Sequence, residues 1–561
     1  MRVSFFPWVA AALLHTAPGA DAEEKATLVF ANGRVFSADV ASHANPATTV
    51  AIRGDRIVYV GDASGAAPLR GEATRWVDLA GKAILPGLVD AHAHLASLGK
   101  SLQTVSLVGT ESAKEAAARV VSAQERVGKG VWVYGRGWDQ NDWPDTSFPT
   151  WRDLADTERN PVYLERVDGH ALWVNRTALN ACGITRDTPD PPGGRILHDP
   201  RGEPTGILVD DAEELVVARV PPPDANVVEA RIELAVRECN RFGLVGVHDA
   251  GTNRAVLGAL RRVASRGELT LNVYCMLDSD EPGLVREQLA RGRTREFDGR
   301  IVLRAIKLRA DGALGSRGAA LLAPYSDDSG NMGLNVDAPD SIRYWTREAV
   351  QHGFQVGTHA IGDRGNRLTL DIYEQVLRET RARDARLRVE HCQVLAPDDI
   401  PRFASLGVVA CMQPTHATSD MPWAQARVGA ERLRGAYVWR AIEDSGAVLA
   451  FGSDFPVESV DPLLGLYAAV TRQDADGNPP GGWYPQQALT FERAVAAFTE
   501  GAAYASFDEG DSGTIAVGKR ADLTILDRDV IGSAPKEPRE LLRAHAAFTV
   551  VRGAIVWESR D

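Results

Sequence analysis

The chain has 561 residues, 44% apolar and 24% charged, with 62 Lys and Arg against 75 Asp and Glu for a formal charge of −13. That mixture supplies a sizeable core and excludes a disordered, collagen-like or polytopic membrane protein; the length suggests roughly two to four domains, or one large barrel with accessories. An acidic chain without long basic runs argues against nucleic acid as a partner, because non-specific binding depends on neutralising phosphates.

Arg2 precedes an apolar run from Val3 to Leu14, then small residues with Ala20-Asp21-Ala22 as an Ala-x-Ala cleavage site. This pattern predicts a secretory signal peptide over residues 1–22 and an exported chain, periplasmic or secreted. A membrane anchor is the alternative, but the run is too short to span and contains Pro7. No membrane partner is expected once the signal is removed. The five cysteines (Cys182, Cys239, Cys275, Cys392 and Cys411) are scattered and odd in number, which is not a disulfide framework.

From Thr27 to Val89 the chain is rich in short alternating strands. Asn32-Gly33 and Gly54-Asp55 are expected at hairpin tips, where positive φ is needed. The far end repeats the style in GTIAVGKRADLTILDRD and AFTVVRGAIVWES, with Gly518 and Gly553 at turns. Residues 26–86 and 508–561 are therefore expected to form one composite β-sandwich.

The middle alternates helix-periodic stretches with short apolar strands, the pattern of βα units. Eight candidate strands occur at 84–94, 244–250, 271–277, 302–308, 354–360, 388–392, 408–414 and 448–454. Eight units favour an α/β fold with a closed (β/α)8 barrel over an open sheet, built from 87–100 and 226–507. No Gly-x-Gly-x-x-Gly follows the first strand to favour the open form. The long gap between strands one and two exceeds an ordinary βα loop. Residues 101–225 are expected as an inserted subdomain over the barrel mouth, with a helix at 111–127, strands VWVYGRGW and PVYLERV, a helix near 173–181 and a hairpin at 195–210.

Catalytic groups of (β/α)8 enzymes sit at the C-terminal ends of strands. His92, His94, His248, His359 and His391 fall there, Asp454 ends strand eight, and Lys307 lies near the end of strand four. His92 and His94 are two apart and share one side of a strand. Imidazoles with a carboxylate offer donors that suit Zn²⁺. A single His near a strand end is more often an ordinary polar residue, but convergence of this set by accident is less easily explained. His248 stays outside the ligand set, since Asp249 and Gly251 beside it read equally as a turn. For Lys307 the residues favour an ion pair with Asp311.

These motifs resemble those of the amidohydrolase superfamily, within it metal-dependent amidohydrolase family 3, including the YtcJ-like proteins and N-substituted formamide deformylases. The resemblance rests on PGLVDAHAHL (86–95), IKLRADGALGSRGA (306–319), GTHAIGDRGN (357–366), RVEHCQVL (388–395), FGSDFPVE (451–458) and GTIAVGKRADLTILD (513–527). It implies the same barrel with a terminal β-sandwich and one or two divalent metals, zinc first. The implied ligands are His92, His94, His359, His391 and Asp454, with Lys307 as a carboxylated bridge between metals.

The implied activity is hydrolysis of a non-peptide C–N bond, in an N-acyl or N-formyl amide, by a metal-activated hydroxide. Asp454 is expected as the proton shuttle from water to the leaving nitrogen. The alternatives are cyclic amides or esters on the same site, or a non-catalytic binding protein on the barrel. For the small-molecule substrate, Trp138 and Trp143 are candidate apolar walls, His170 a carbonyl partner and Arg317 a carboxylate clamp. The tryptophans read equally as core of the insert, and Arg317 as a tie for its own loop. A homo-oligomer is compatible with the sequence, which does not specify it.

Overall fold

The computed structural model describes residues 25–36, 46–125, 127–166, 171–191, 194–315 and 317–560. The signal-peptide reading of residues 1–22 lies outside these. Among the described residues, no helix is long and apolar enough to cross a membrane.

Eight parallel strands form the centre: β1 (Leu88–Ala93), β2 (Leu244–Thr252), β3 (Asn272–Asp278), β4 (Ile301–Arg309), β5 (Gln355–Ala360), β6 (Arg388–His391), β7 (Val409–Met412) and β8 (Leu449–Phe451). They pair in sequential order, each parallel to the next. Helices between them bury one apolar stripe against the strands. Arg254–Ser265 is representative: Val256, Leu257, Leu260 and Val263 are buried, and the Asn253 side chain caps its start by accepting from Val256 N.

The ring closes between β1 and β8 through a side chain. The buried Asp90 carboxylate accepts from Ser453 N at 3.0 Å, Ser453 Oγ at 2.7 Å and His92 N at 3.0 Å. Two backbone bonds complete the seam, Asp454 N to His92 O at 2.8 Å and His94 N to Phe455 O at 3.0 Å. Gly452 is required there, because a Cβ would sit 2.4 Å from Asp90 Oδ1.

The continuous strand expected at 84–94 is instead two. Ala83–Pro86 belongs to the terminal sandwich and β1 to the barrel. The break falls at Gly87, whose added Cβ would lie 2.4 Å from Val245 Cγ2, so the chain crosses between sheets where only hydrogen fits. The sandwich has a four-stranded sheet from the N-terminal segment and a five-stranded sheet drawing strands from both ends of the chain. Phe30, Val50, Ile52, Ile84, Leu523, Ile525 and Val550 fill the space between them. Gly54, at φ 58°, turns the hairpin between Thr49–Arg53 and Arg56–Gly61. Asn32 also has positive φ, 56°, but it is not a hairpin tip. Leu28–Ala31 lies in one sheet and Arg34–Val35 in the other, because their alternating apolar residues face one shared core.

The insert carries its own six-stranded sheet, packed on helix Ala113–Gln124. The helix expected near 173–181 begins later, at Arg176–Cys182; Ala171–Val174 is a strand, held between Val162–Arg166 and Pro204–Asp210. Its buried run Ala-Leu-Trp-Val has no polar face, which favours a central strand over an amphipathic helix. The insert meets the barrel rim at a recess lined by Val108, Arg136, Gly137 and, from the loop after β8, Pro456.

Removing the seam carboxylate leaves buried N–H and O–H donors unsatisfied. Asp90→Ala is expected to destabilise the chain by about 3 kcal/mol, read as a lowered urea midpoint.

Candidate active site and metal centre

His92 lies near the end of β1 and His94 just past it, Lys307 near the end of β4, His359 on β5, His391 at the end of β6, and Asp454 follows β8. All six line one cavity of about 580 Å³ at the C-terminal ends of the strands. Asp454 Oδ1 is 3.2 Å from His94 Nε2 and 3.7 Å from His92 Nε2. Lys307 Nζ is 3.1 Å from His92 Nε2. The His391 ring lies 4.7 Å from that of His92 and 4.5 Å from that of His359. One donor atom each from His92, His391 and Asp454 falls within 4.8 Å of the others. His391 and Asp454 hold φ at 79° and 62°, a left-handed backbone that non-glycine residues seldom adopt and that accompanies functional sites.

The proton positions are set from behind. His92 Nδ1 is 2.5 Å from Glu390 Oε2, and Arg388 grips both oxygens of Glu390 at 2.8 and 3.0 Å. A carboxylate at Nδ1 accepts a hydrogen bond from the Nδ1–H and turns the Nε2 lone pair toward the cavity. Gln413 Oε1, 2.9 Å from His391 Nδ1, does the same for that ring. Burial works against the charge on Glu390, but Arg388 and His92 outweigh it and hold its carboxyl well below the usual range. Burial, then the Lys307 charge, lowers His92 to about 4 and His359 to about 3. Burial is also the main cause that lowers His391. All three imidazoles are thereby kept in the lone-pair form at neutral pH. Burial opposes ionisation of Asp454, yet the His94 hydrogen bond and the neighbouring His92 and His416 hold it down at about 2. Desolvation lowers Lys307 to about 8.

The donor set fits a divalent cation. His359 Nε2 is buried without a hydrogen-bond partner, and Asp454 Oδ1 has only the His94 ring nitrogen at 3.2 Å, an arrangement costly in a protein unless something else satisfies those atoms. Nitrogen and oxygen donors of this kind suit zinc and its neighbours.

Other expected partners lie elsewhere. Lys307 does not pair with Asp311, whose carboxylate accepts from Ile361 N, Gly362 N and Ala320 N instead. Asp311 lies past the end of β4, and the reach of an extended strand carries it away from the lysine. Trp138 and Trp143, considered as pocket walls, fill the insert's core, donating to Leu164 O and Thr110 O at 2.8 Å each. Arg317 is not among the cavity-lining residues; its guanidinium holds both oxygens of Asp327 at 3.1 and 3.0 Å. His170 lies outside the described residues. His248 is buried behind the site, 2.9 Å from Arg388 Nη1.

Glu390, His416 and Gln393 belong to the site and were not singled out from the sequence. Arg388-Val389-Glu390 reads as an ordinary alternating strand until the barrel closes round it. His416 stands two residues beyond the strand expected at 408–414, so extending the strand-end search by one turn would have found it.

A sequence profile described as the Amidohydrolase family matches residues 75–557. The chain is 35% identical over 521 residues to Protein LONG AFTER FAR-RED 3 of Arabidopsis thaliana, covering 89% of this chain and 87% of that one. It is 28% identical over 554 residues to N-substituted formamide deformylase of Arthrobacter pascens, covering 95% and 98%. Among solved structures it is similar to an uncharacterized metal-dependent hydrolase of Pyrococcus furiosus, with a TM-score of 0.74 and 29% identity over 90% of this chain and 99% of that one.

Because Glu390 orients His92 and balances Arg388, Glu390→Gln is expected to weaken divalent-cation binding about 10–100-fold, measured by equilibrium dialysis with Zn²⁺ as the probe.

Proposed function

The chain belongs to the amidohydrolase family and is a metal-dependent hydrolase, and from that premise we propose that it cleaves the C–N bond of a non-peptide N-acyl or N-formyl amide. The observation that carries this reading is the buried Asp454 carboxylate, ionised and set beside the His92 and His391 imidazoles that turn their lone pairs to the same cavity. Similarity to a formamide deformylase along nearly the whole chain supports the choice of bond.

His92, His94, His359, His391 and Asp454 would hold one or two divalent ions, zinc by donor type, with Lys307 as a carbamate between them. When bound, such an ion supplies Lewis-acid polarisation and acidifies water. Two features support the carbamate reading. Lys307 is buried among imidazoles, and no carboxylate lies within ion-pair distance of it among the described residues. A carbamate replaces that uncompensated cation with an anion.

The remaining steps belong to the chain's own groups. Asp454 accepts a proton as water oxygen bonds to the carbonyl carbon, then returns it to the nitrogen as the C–N bond breaks. The products are a carboxylic acid, formic acid for a formamide, and an amine. Glu390 and Gln413 keep His92 and His391 in a fixed tautomer throughout. We assign the site of action to the periplasm or exterior on the Arg2 and Val3–Leu14 pattern; N-terminal sequencing of the mature chain tests it, and retention of residues 1–22 would refute it.

Zinc-loaded protein assayed against N-formyl amines, N-acyl amines, cyclic amides and esters is expected to turn over the first two best. Preference for esters or cyclic amides would redirect the assignment, and absence of both metal and turnover would favour a binding protein. Asp454→Asn is expected to lower kcat about 10²–10⁴-fold with the fold retained, checked by steady-state kinetics and circular dichroism. Lys307→Ala is expected to lose metal and activity and to regain part of each with short carboxylic acids. Full activity without them would remove the carbamate.

A further inference from the structure

We infer that His416 is a catalytic hydrogen-bond donor to the carbonyl oxygen of the substrate, its proton held on Nε2 by Gln393 and Asp420. The inference rests on the amide-hydrolysis reading above and adds a residue to it.

His416 lies in the first turn of the helix Pro414–Arg432 that follows β7, buried at the wall of the catalytic cavity. Its Nδ1 is 3.2 Å from Gln393 Nε2, and the same amide nitrogen is 3.4 Å from Asp420 Oδ2. That second contact decides the orientation of the amide. Flipping it would set the Gln393 oxygen against a carboxylate, which has no proton to offer. Asp420 is itself held by the hydroxyl of buried Tyr437, 2.5 Å away. Gln393 therefore donates to His416 Nδ1, and the ring's proton must sit on Nε2.

Nε2 is buried and has no hydrogen-bond partner. The nearest carboxylate oxygen, Asp454 Oδ2, is 3.8 Å away, beyond hydrogen-bond range. The ring lies parallel to that of His391, with centroids 6.0 Å apart and planes at 24°. His416 is thus the reverse of its neighbours. His92 and His391 donate hydrogen bonds from Nδ1–H to Glu390 and Gln413 and turn lone pairs to the cavity. His416 receives at Nδ1 and turns an N–H to the same cavity, so it cannot serve as a ligand through Nε2 while that arrangement holds.

An N–H fixed beside the general base is placed for the oxygen that gains negative charge as water adds to the carbonyl carbon. The hydrogen bond strengthens with that charge and relaxes when the C–N bond breaks, and no proton need transfer. The donor is oriented before the substrate arrives, which is the condition for stabilising a transition state rather than a ground state.

The test compares His416→Met, which keeps bulk but removes the donor, with His416→Gln, which retains an N–H. His416→Met is expected to lower kcat about 10²–10³-fold with KM and zinc content near the parent, and His416→Gln to recover part of the loss. Long-range ¹⁵N–¹H spectra of histidine-labelled protein, with and without zinc, are expected to show the His416 proton on Nε2, the signal being assigned by its disappearance in His416→Gln. Equal kcat in His416→Met, loss of zinc in that variant, or a proton on Nδ1 would each overturn the inference. A wild-type chain that turns over no amide fails the parent reading and this one with it. A wild-type chain that does so while His416→Met matches it fails this inference alone.

Discussion

At the barrel seam a single carboxylate, Asp90, binds Ser453 through both its backbone N–H and its hydroxyl, joining groups 363 residues apart in the chain. The last strand does not add a regular ladder to the first, so this side chain and two backbone bonds do the work of closure. His92 and Asp454 themselves form one of those backbone bonds. Their separation is therefore set by the closure itself, and the position of the remaining imidazoles follows from parallel strands that all end at the same rim. Glycine at 87 and 452 answers to the same geometry, since backbone and carboxylate approach there without room for a methyl group.

A second constraint is the placement of protons inside the barrel. Arg388, Glu390 and His92 form one buried chain of charge-assisted bonds, with Arg388 also reaching Ala91 O at 2.6 Å and His248. Burying a guanidinium and a carboxylate is costly, and here each is satisfied by several partners. The return is directional. His92 presents a lone pair, His391 presents another through Gln413, and His416 presents an N–H through Gln393. Three histidines of the same intrinsic chemistry acquire two different roles from the amide or carboxylate behind each ring.

The insert divides structure from chemistry in an unexpected way. Trp138, Trp143 and Trp173 satisfy their indole N–H groups on backbone carbonyls and pack against one another in tilted and edge-on pairs inside the insert's own core. The described insert residues do not line the catalytic cavity, which is walled instead by barrel loops, including Trp423 and Leu314. The insert reaches the mouth through Val108 and Gly137, beside the Pro456–Val457 loop, and Val457 forms part of the cavity wall. That loop touches both the insert and the catalytic cavity.

Strand count, the barrel, the terminal sandwich and the residues gathered at the strand ends were legible in the sequence, because period-2 apolar runs and polar residues at their C-terminal ends are local signals. Asn32 and Ala171–Val174 were misplaced, since a turn does not say whether its flanking strands share a sheet, and a short apolar run does not distinguish a helix from a buried strand. Lys307 and Asp311, four apart, invited a pairing that an extended backbone forbids. The partners of the histidines, Glu390, Gln413 and Gln393, could be chosen only by tertiary structure. A hydrogen bond depends on separation and direction in space, and residues distant along the chain acquire these only when the barrel closes.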